Sequence, residues 1–513
     1  MRVAGRLLVA TLLAAAACAA AAPAPAPPAG TDPDTRAWWD LTAQLASDAM
    51  QGRDTGSAAY ERAARIVAAR FAAAGLQPAG EHGGFLQPVP LKEAKVEKAG
   101  ARFTLVRPDG STTPLSFLHQ ITARAADGLP PHLDARLAFR GYCSAAEIGS
   151  DTRGRIAVCF GARRANRPSA ADRTRAARAG GAVGVISVDD PGFTIEPARW
   201  PDAYARTVTF DEPSAPTGAA MLEMRLSDAA FREVIRGSGQ DASAILAAGA
   251  ASQPLPRFDI PSRLDARFEL GHARYASSNV LALLPGSDPK LAGQVVVVSA
   301  HLDGYGFGEP VNGDNLYNGA FDDAAYVATL VRFAQQRQGH GFRRSVLFAV
   351  TTGEEKGLLG ARWFVAHPTL PRADLVADIN LDQLRPLFPL KILTMHAIDD
   401  TTLGATARRV AAGMGIELRP DLEPERNLLR RADHWPFLQA GIPATGFVFG
   451  FDPATQAERR YREWYRTRYH RPQDDMSQPI DFKAAADFNR FFYALTRAVA
   501  DEDARPAMLK PIG

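Results

Sequence analysis

Three short apolar runs in the second half of the chain each stop on an acid or an imidazole. They are "QVVVVSAHLD" (294–303), "SVLFAVTTGEE" (345–355) and "LVADINLDQL" (375–384). Runs of this length, rich in β-branched residues and apolar without alternation, have the pattern of strands buried on both faces. "NVLALLPG" and "IPATGFVFG" extend the set, and helical stretches such as "AAYVATLVRFAQQRQ" and "GLLGARWFVAHP" lie between them. Strand alternating with helix predicts an α/β fold, with a largely parallel central sheet held between helical layers. Such sheets bind ligands beyond the carboxyl ends of their strands, so the residues found there carry most of the information.

Those ends hold His301 and Asp303, then Glu354 and Glu355, then Asp382. Asp322 and Asp323 open the helix that follows the first loop, and His470 sits downstream in "YHRPQDD". Taken singly, each has an ordinary explanation. An aspartate at a helix start is a cap, and two adjacent glutamates make a solvated turn. Taken jointly, carboxylates and imidazoles at successive strand ends predict a metal site, and both ligand types suit Zn²⁺. Two ions about 3.5–4 Å apart need an acid whose two oxygens reach both. They also need one imidazole and one acid per ion, with a separate base. Counting His301, Asp322, Glu355, Asp382 and His470 as ligands leaves Glu354 for that last part.

The strings "HLDGYGFGEPVNGDNLYNGAFDDAA", "TTGEEKGLLGA", "NLDQL", "RADHWPFLQAGIPA" and "YHRPQDD" resemble the dinuclear zinc aminopeptidases of metallopeptidase family twenty-eight. That family includes bacterial leucyl-type aminopeptidases and glutamate carboxypeptidase II. The resemblance spans most of residues 40–485 and implies a three-layer αβα peptidase domain. It implies that His301 and Asp382 hold one Zn²⁺, that Glu355 and His470 hold a second, and that Asp322 bridges them. Asp303 would orient the His301 ring. Glu354 would be the general acid/base that takes a proton from the attacking water and passes it to the leaving amine. A cis peptide between Asp322 and Asp323 is implied too. The expected reaction is release of N-terminal residues from peptides. A carboxypeptidase or dipeptidase of the same family, a glutaminyl cyclase and a non-catalytic binding protein are the alternatives.

The chain departs from the family pattern in places. Ala325 and Tyr326 stand where a Ser-Gly pair is usual, so Tyr326 either narrows the pocket or packs against the sheet. Ala432 replaces a serine beside Asp433 and His434, a pair read as support for the site or as packing. Arg430 and Arg431, with Tyr461, Trp464, Tyr465 and Tyr469, either line the cleft or pack around the His470 loop.

Residues 1–22 read as an export signal, with Arg2 and Arg6 before an apolar run and small residues at its end. Cys18 is either lost with the signal or carries a lipid anchor. The expected location is therefore periplasmic or secreted, or membrane-anchored as a lipoprotein. No later run reaches the roughly 18 apolar residues of a membrane span. Residues 23–32 are a Pro/Ala linker. A formal net charge of +3 over 513 residues gives no reason to expect nucleic acid as a partner. Peptides are the expected partners, and nothing sets the oligomeric state. Residues 33–116 are assigned to the start of the peptidase domain, and 256–513 to its main part. Between them, 117–255 read as an inserted mixed α/β domain, where "RGRIAVCFGARRANRPSAADRTRAARAGGAVGVISV" resembles the protease-associated domain. Cys143 and Cys159 either pair, as export would permit, or remain two buried thiols. "QGRDTGS" (51–57) reads as a turn between two amphipathic helices, part of the scaffold only.

Overall fold

The computed structural model describes residues 25–162, 164, 166–194, 205–212, 220–382 and 384–512. The expected export signal and Cys18 lie outside them, as does the start of the linker.

Strand Val295–His301 is an inner strand of the larger sheet, flanked in parallel by Ser345–Thr351 and Leu375–Asn380. Ala444–Thr445 adds a further parallel strand beside Leu375–Asn380. All residues of these strands are buried, as a sheet covered on both faces requires. The period of two sorts their side chains into two cores. Val296, Val298 and Ala300 join a cluster with Trp38, Phe71, Phe333 and Phe492, which come from helices Pro33–Leu45, Ala58–Ala73, Ala325–Arg337 and Phe482–Asp501. Val295 and Val297 face Phe364 and Phe437 on helices Leu359–Ala366 and His434–Gln439. The result is the expected α/β sandwich of three layers.

The parallel pattern holds for the half of the sheet that ends in the acids. The other half is antiparallel: Leu270–Leu284 pairs with Ser345–Thr351, Leu86–Val96 with Leu270–Leu284, and Arg206–Phe210 with Leu86–Val96. Pro88 and Pro90 are tolerated in this sheet because the Arg206–Phe210 ladder covers Leu91–Lys95, so among the described residues no strand there needs a donor from either proline, and the Pro90 carbonyl instead accepts from the Asp211 N–H.

Apart from the edge strand Arg206–Phe210, the chain leaves the larger sheet at Val96 and returns at Leu270, residues that face each other across the ladder. Between them runs a second sheet, ordered Thr112–Leu115, Arg102–Val106, Arg257–Arg267, His132–Arg140, Ile156–Phe160, Gly184–Val188, Leu222–Leu226, Ile121–Ala123. It has its own core, including Phe103, Phe139, Phe231 and Leu264. Its strands extend beyond the 117–255 span that composition suggests, because Arg102–Val106 and Arg257–Arg267 pair with each other. Cys143 and Cys159 form a disulfide beside this sheet. Among the described residues no helix is long and apolar enough to cross a membrane.

Candidate metal centre

The parallel strands deliver His301, Glu354, Glu355 and Asp382 to one end of the sheet. Asp322 comes from the turn Ala320–Ala324, and His470 from the loop after helix Gln456–Thr467. These residues form two groups of possible ligand atoms, His301 with Asp322 and Asp382, and Asp322 with Glu355 and His470, each within 4.8 Å. Asp322 belongs to both and divides its oxygens between them. Oδ1 lies 3.3 Å from His301 Nε2, and Oδ2 lies 3.1 Å from His470 Nε2. Glu355 Oε1 is 3.3 Å from the same His470 nitrogen. Glu354 is in neither group, and its Oε2 lies 3.9 Å from His301 Nε2.

Asp303 acts differently from the expectation. Its backbone carbonyl, 3.0 Å away, is what meets His301 Nδ1, while its carboxylate lies at 3.7 Å. The carboxylate instead accepts from the Glu354 and Glu355 backbone N–H groups at 3.0 and 3.3 Å, and from Thr55 Oγ1 at 3.0 Å. It therefore shapes the turn that separates the two glutamates. Asp323 is no helix cap; its carboxylate accepts from the His301 backbone N–H at 3.1 Å and ties down the strand end. The peptide between Asp322 and Asp323 is cis.

Several supporting residues were not read from the sequence. Arg53, in the "QGRDTGS" turn, is fully buried and donates to the carbonyls of Leu302, Leu45, Asn318 and Gly319 at 2.7–2.8 Å. It thus joins the His301 loop to the turn before Asp322. Gly319 must be glycine there: its φ is +59°, and a Cβ would come within 2.4 Å of the Asp322 carbonyl. Asp474 accepts from the backbone N–H groups of Phe321 and Asp322, both at 3.0 Å. Arg385 is wholly buried, with Nη2 3.3 Å from Asp322 Oδ2 and its guanidinium 4.5 Å from the Trp464 ring centre. The sequence signal for Arg53, Gly319 and Asp474 was their place inside the matched strings or the turn, but their role lies in contacts with distant backbone; Arg385 stands just beyond "NLDQL" and meets the Asp322 carboxylate.

Tyr326 and the tyrosines before His470 resolve toward packing, whereas Asp433 lies buried among the charges of the site. Tyr326 is buried edge-on against Phe488. Tyr461, Tyr465 and Tyr469 form a buried ladder with centroids 4.7 and 4.8 Å apart, ending with Tyr469 stacked on His470 at 3.7 Å. Trp464 is buried alongside and donates to Gln478 Oε1. Asp433 accepts from Thr351 Oγ1, and His434 Nδ1 lies 3.4 Å from Asn380 Oδ1. Arg431 donates to the Tyr469 hydroxyl at 3.1 Å, while Arg430 is exposed and lies over Trp435.

The electrostatics fit a divalent cation. Six carboxyl groups, from Asp303, Asp322, Asp323, Glu354, Glu355 and Asp382, converge on two imidazoles and the guanidinium groups of Arg385 and Arg53. Burial pushes Glu355 well above the ordinary carboxyl value, and the Asp322 charge adds to it. Burial likewise raises Glu354 against the pull of His301, and Glu355 adds to the rise. Burial alone would raise Asp322 as well, but Arg385 and the two imidazoles hold it well below its ordinary value. His301 Nε2 and Asp322 Oδ2 are buried yet make no hydrogen bond of ordinary geometry. Buried polar atoms are seldom left so without a functional reason, and imidazole with carboxylate is a donor set that Zn²⁺ takes.

Residues 279–496 match the model of peptidase family M28. A stretch of 185 residues is 30% identical to leupeptin-inactivating enzyme 1 of Streptomyces exfoliatus, covering 35% of this chain and only 38% of that protein's length. The fold is shared with an aminopeptidase from Aneurinibacillus sp. strain AM-1, at TM-score 0.60 and 17% identity over 94% of this chain and 97% of that one. It is also shared with BSAP, a zinc aminopeptidase from Bacillus subtilis, at TM-score 0.53 and 17% identity over 91% and 95% of the two chains. The family match over the site-bearing residues, the ordered site and the fold together identify residues 279–496 as a segment of peptidase family M28.

Proposed function

We propose that the protein is an exported aminopeptidase that binds two Zn²⁺ ions and removes N-terminal residues from peptides. The observation that carries this reading is the division of the Asp322 carboxylate, one oxygen toward His301 and the other toward His470. His301 and Asp382 would hold one ion, Glu355 and His470 the other, and Asp322 both. When bound, the ions supply Lewis acidity to the scissile carbonyl and lower the pKa of the attacking water. The chain's own residues do the rest. Glu354, outside both ligand groups, takes the proton of the attacking water and delivers it to the leaving amine. Asp303 holds the backbone of Glu354 and Glu355 so that one acid faces the ions and the other faces the reacting atoms. Asp474 and Arg53 fix the turn that presents Asp322.

The Cys143–Cys159 disulfide supports export, since such bonds persist in oxidising compartments. The unit built on the second sheet is read as a protease-associated domain. The test is a mixed peptide library incubated with the full chain, with and without a chelator, and analysed by mass spectrometry. Stepwise loss from the N-terminus, abolished by chelation and restored by zinc, is expected. Trimming from the C-terminus would overturn the aminopeptidase reading and leave the metal centre intact. Failure of the zinc-loaded protein to cleave any peptide would overturn both.

A further inference from the structure

His301 and His470 are steered by different devices. The outer nitrogen of His301 meets a backbone carbonyl, that of Asp303 at 3.0 Å. The outer nitrogen of His470 meets a side chain: the Tyr305 hydroxyl lies 3.2 Å from Nδ1. The same hydroxyl acts on the Glu355 carboxyl as a hydrogen-bonding neighbour, drawing it down against the rise from burial. Tyr305 is itself well seated. Its ring meets His470 edge-on at 4.8 Å and Tyr317 at 6.3 Å, and Lys356 Nζ lies 4.7 Å from its centre. Tyr317 is held in turn by donating to the Glu309 carbonyl at 2.8 Å. Gly304, Tyr305 and Tyr317 line a small cavity together with Asp322, Glu355 and His470.

We propose that Tyr305 is a positioning residue that sets both ligands of the second ion through one oxygen, accepting Nδ1–H from His470 and donating its own O–H to Glu355. This rests on the proposed function, which makes those two residues ligands. An imidazole that offers Nε2 to a metal must carry its proton on Nδ1, and that proton needs an acceptor. A hydroxyl can accept there and still donate once. Such a chain turns the His470 Nε2 lone pair toward Asp322 Oδ2 and Glu355 Oε1, 3.1 and 3.3 Å away. It also holds Glu355 in place from the far side. The His301 ion has no such dependence on a side-chain oxygen, so loss of the Tyr305 hydroxyl should affect one ion and spare the other.

The test is Tyr305→Phe in the full chain, which keeps the ring and its packing. The metal-free protein is titrated with zinc against a chromophoric chelator, and its thermal unfolding is recorded separately. Wild type should bind two ions. In the variant, affinity for one ion should fall about 10–100-fold, the range for removing such an outer partner, while the other stays unchanged and the metal-free protein melts as wild type does. Equal affinities in variant and wild type would overturn the proposal, as would an equal loss at both sites. Wild type that binds fewer than two ions would instead overturn the function on which the proposal rests.

Discussion

Among the described residues, the His–Asp/Glu clusters with ligand-like spacing are of two kinds, and they sit in opposite surroundings. At the carboxyl ends of the larger sheet, His301, Asp322, Asp382, Glu355 and His470 converge out of solvent, with more acid than neighbouring cation. On the second sheet His132, Asp134 and Asp265 also lie within 4.8 Å of one another, on adjoining antiparallel strands where Asp134 faces Asp265. There the side chains are partly open to water, and the charges are already answered. Arg263 pairs with Asp134, Arg267 Nε lies 3.1 Å from Asp265, and His132 Nε2 lies 2.9 Å from the same carboxylate. Spacing alone therefore does not separate the two clusters. Burial and the shortage of protein cations do, because a buried acid without a counter-charge is costly until a cation arrives.

The sharpest way to break the comparison is inside the first cluster, between Glu354 and Glu355. Glu354→Gln should lower the peptidase rate by about 10²–10⁴-fold, the span for a lost general acid/base, with both zinc ions retained. Glu355→Ala should lose one of the two ions outright. Elemental analysis after gel filtration, paired with rate measurements, separates these outcomes. Retention of both ions by Glu355→Ala would show that the two acids have been assigned the wrong way round.

The next effect concerns the scaffold around the first cluster. Arg53→Leu leaves four carbonyls without their donor, so unfolding free energy should drop by about 3–5 kcal/mol. Denaturant titration of the metal-free protein measures it. A loss within 0.5 kcal/mol would mean that the turn does not hold the His301 and Asp322 loops together.

Arg53 also marks where sequence reading stops. The runs ending at His301, Thr351 and Asn380 could be read because burial on both faces leaves a local pattern, and the acids behind them stand in contiguous strings. Arg53 is far from Leu302 and Gly319 along the chain, and it acts through backbone carbonyls that carry no side-chain signature. Asp474 is similar: it lies within a matched string, yet its contacts are amide groups some 150 residues away. Thr55 and Arg385 instead meet carboxylates, those of Asp303 and Asp322, that are distant along the chain. The antiparallel half of the larger sheet was hidden by Pro88 and Pro90, which argue against a strand unless its edge is known to be free. Asp303 shows the limit in another form. The resemblance implied that it orients the His301 ring, and the fold does this with its carbonyl while its carboxylate holds the glutamate turn.

A smaller effect tests the independence of the second sheet. The disulfide closes a short loop, since its cysteines are 16 residues apart, and opening such a loop costs about 3 kcal/mol in the chain-entropy model. Cys143→Ser with Cys159→Ser should destabilise the second-sheet unit by that order while leaving zinc content unchanged. Unfolding followed by hydrogen exchange resolves the two units, because the cysteines pack with Ala157, Val185 and Met221 and not with the core that contains Val296 and Phe333. Equal loss of protection in both would show that they unfold as one.

The smallest expected effect is the most direct check on the comparison. His132→Ala removes the only imidazole from the exposed cluster, and zinc stoichiometry and affinity should not change. Asp265 would lose one partner and keep Arg267, so its charge would remain answered, and Asp134 would keep Arg263. Exposed pairs of this kind contribute little, because water and salt already screen them. A drop in bound zinc on His132→Ala would mean that an arginine-paired, water-exposed cluster can still recruit a cation. Charge balance and burial would then no longer be what distinguishes the buried centre, and strand-end geometry alone would set it apart.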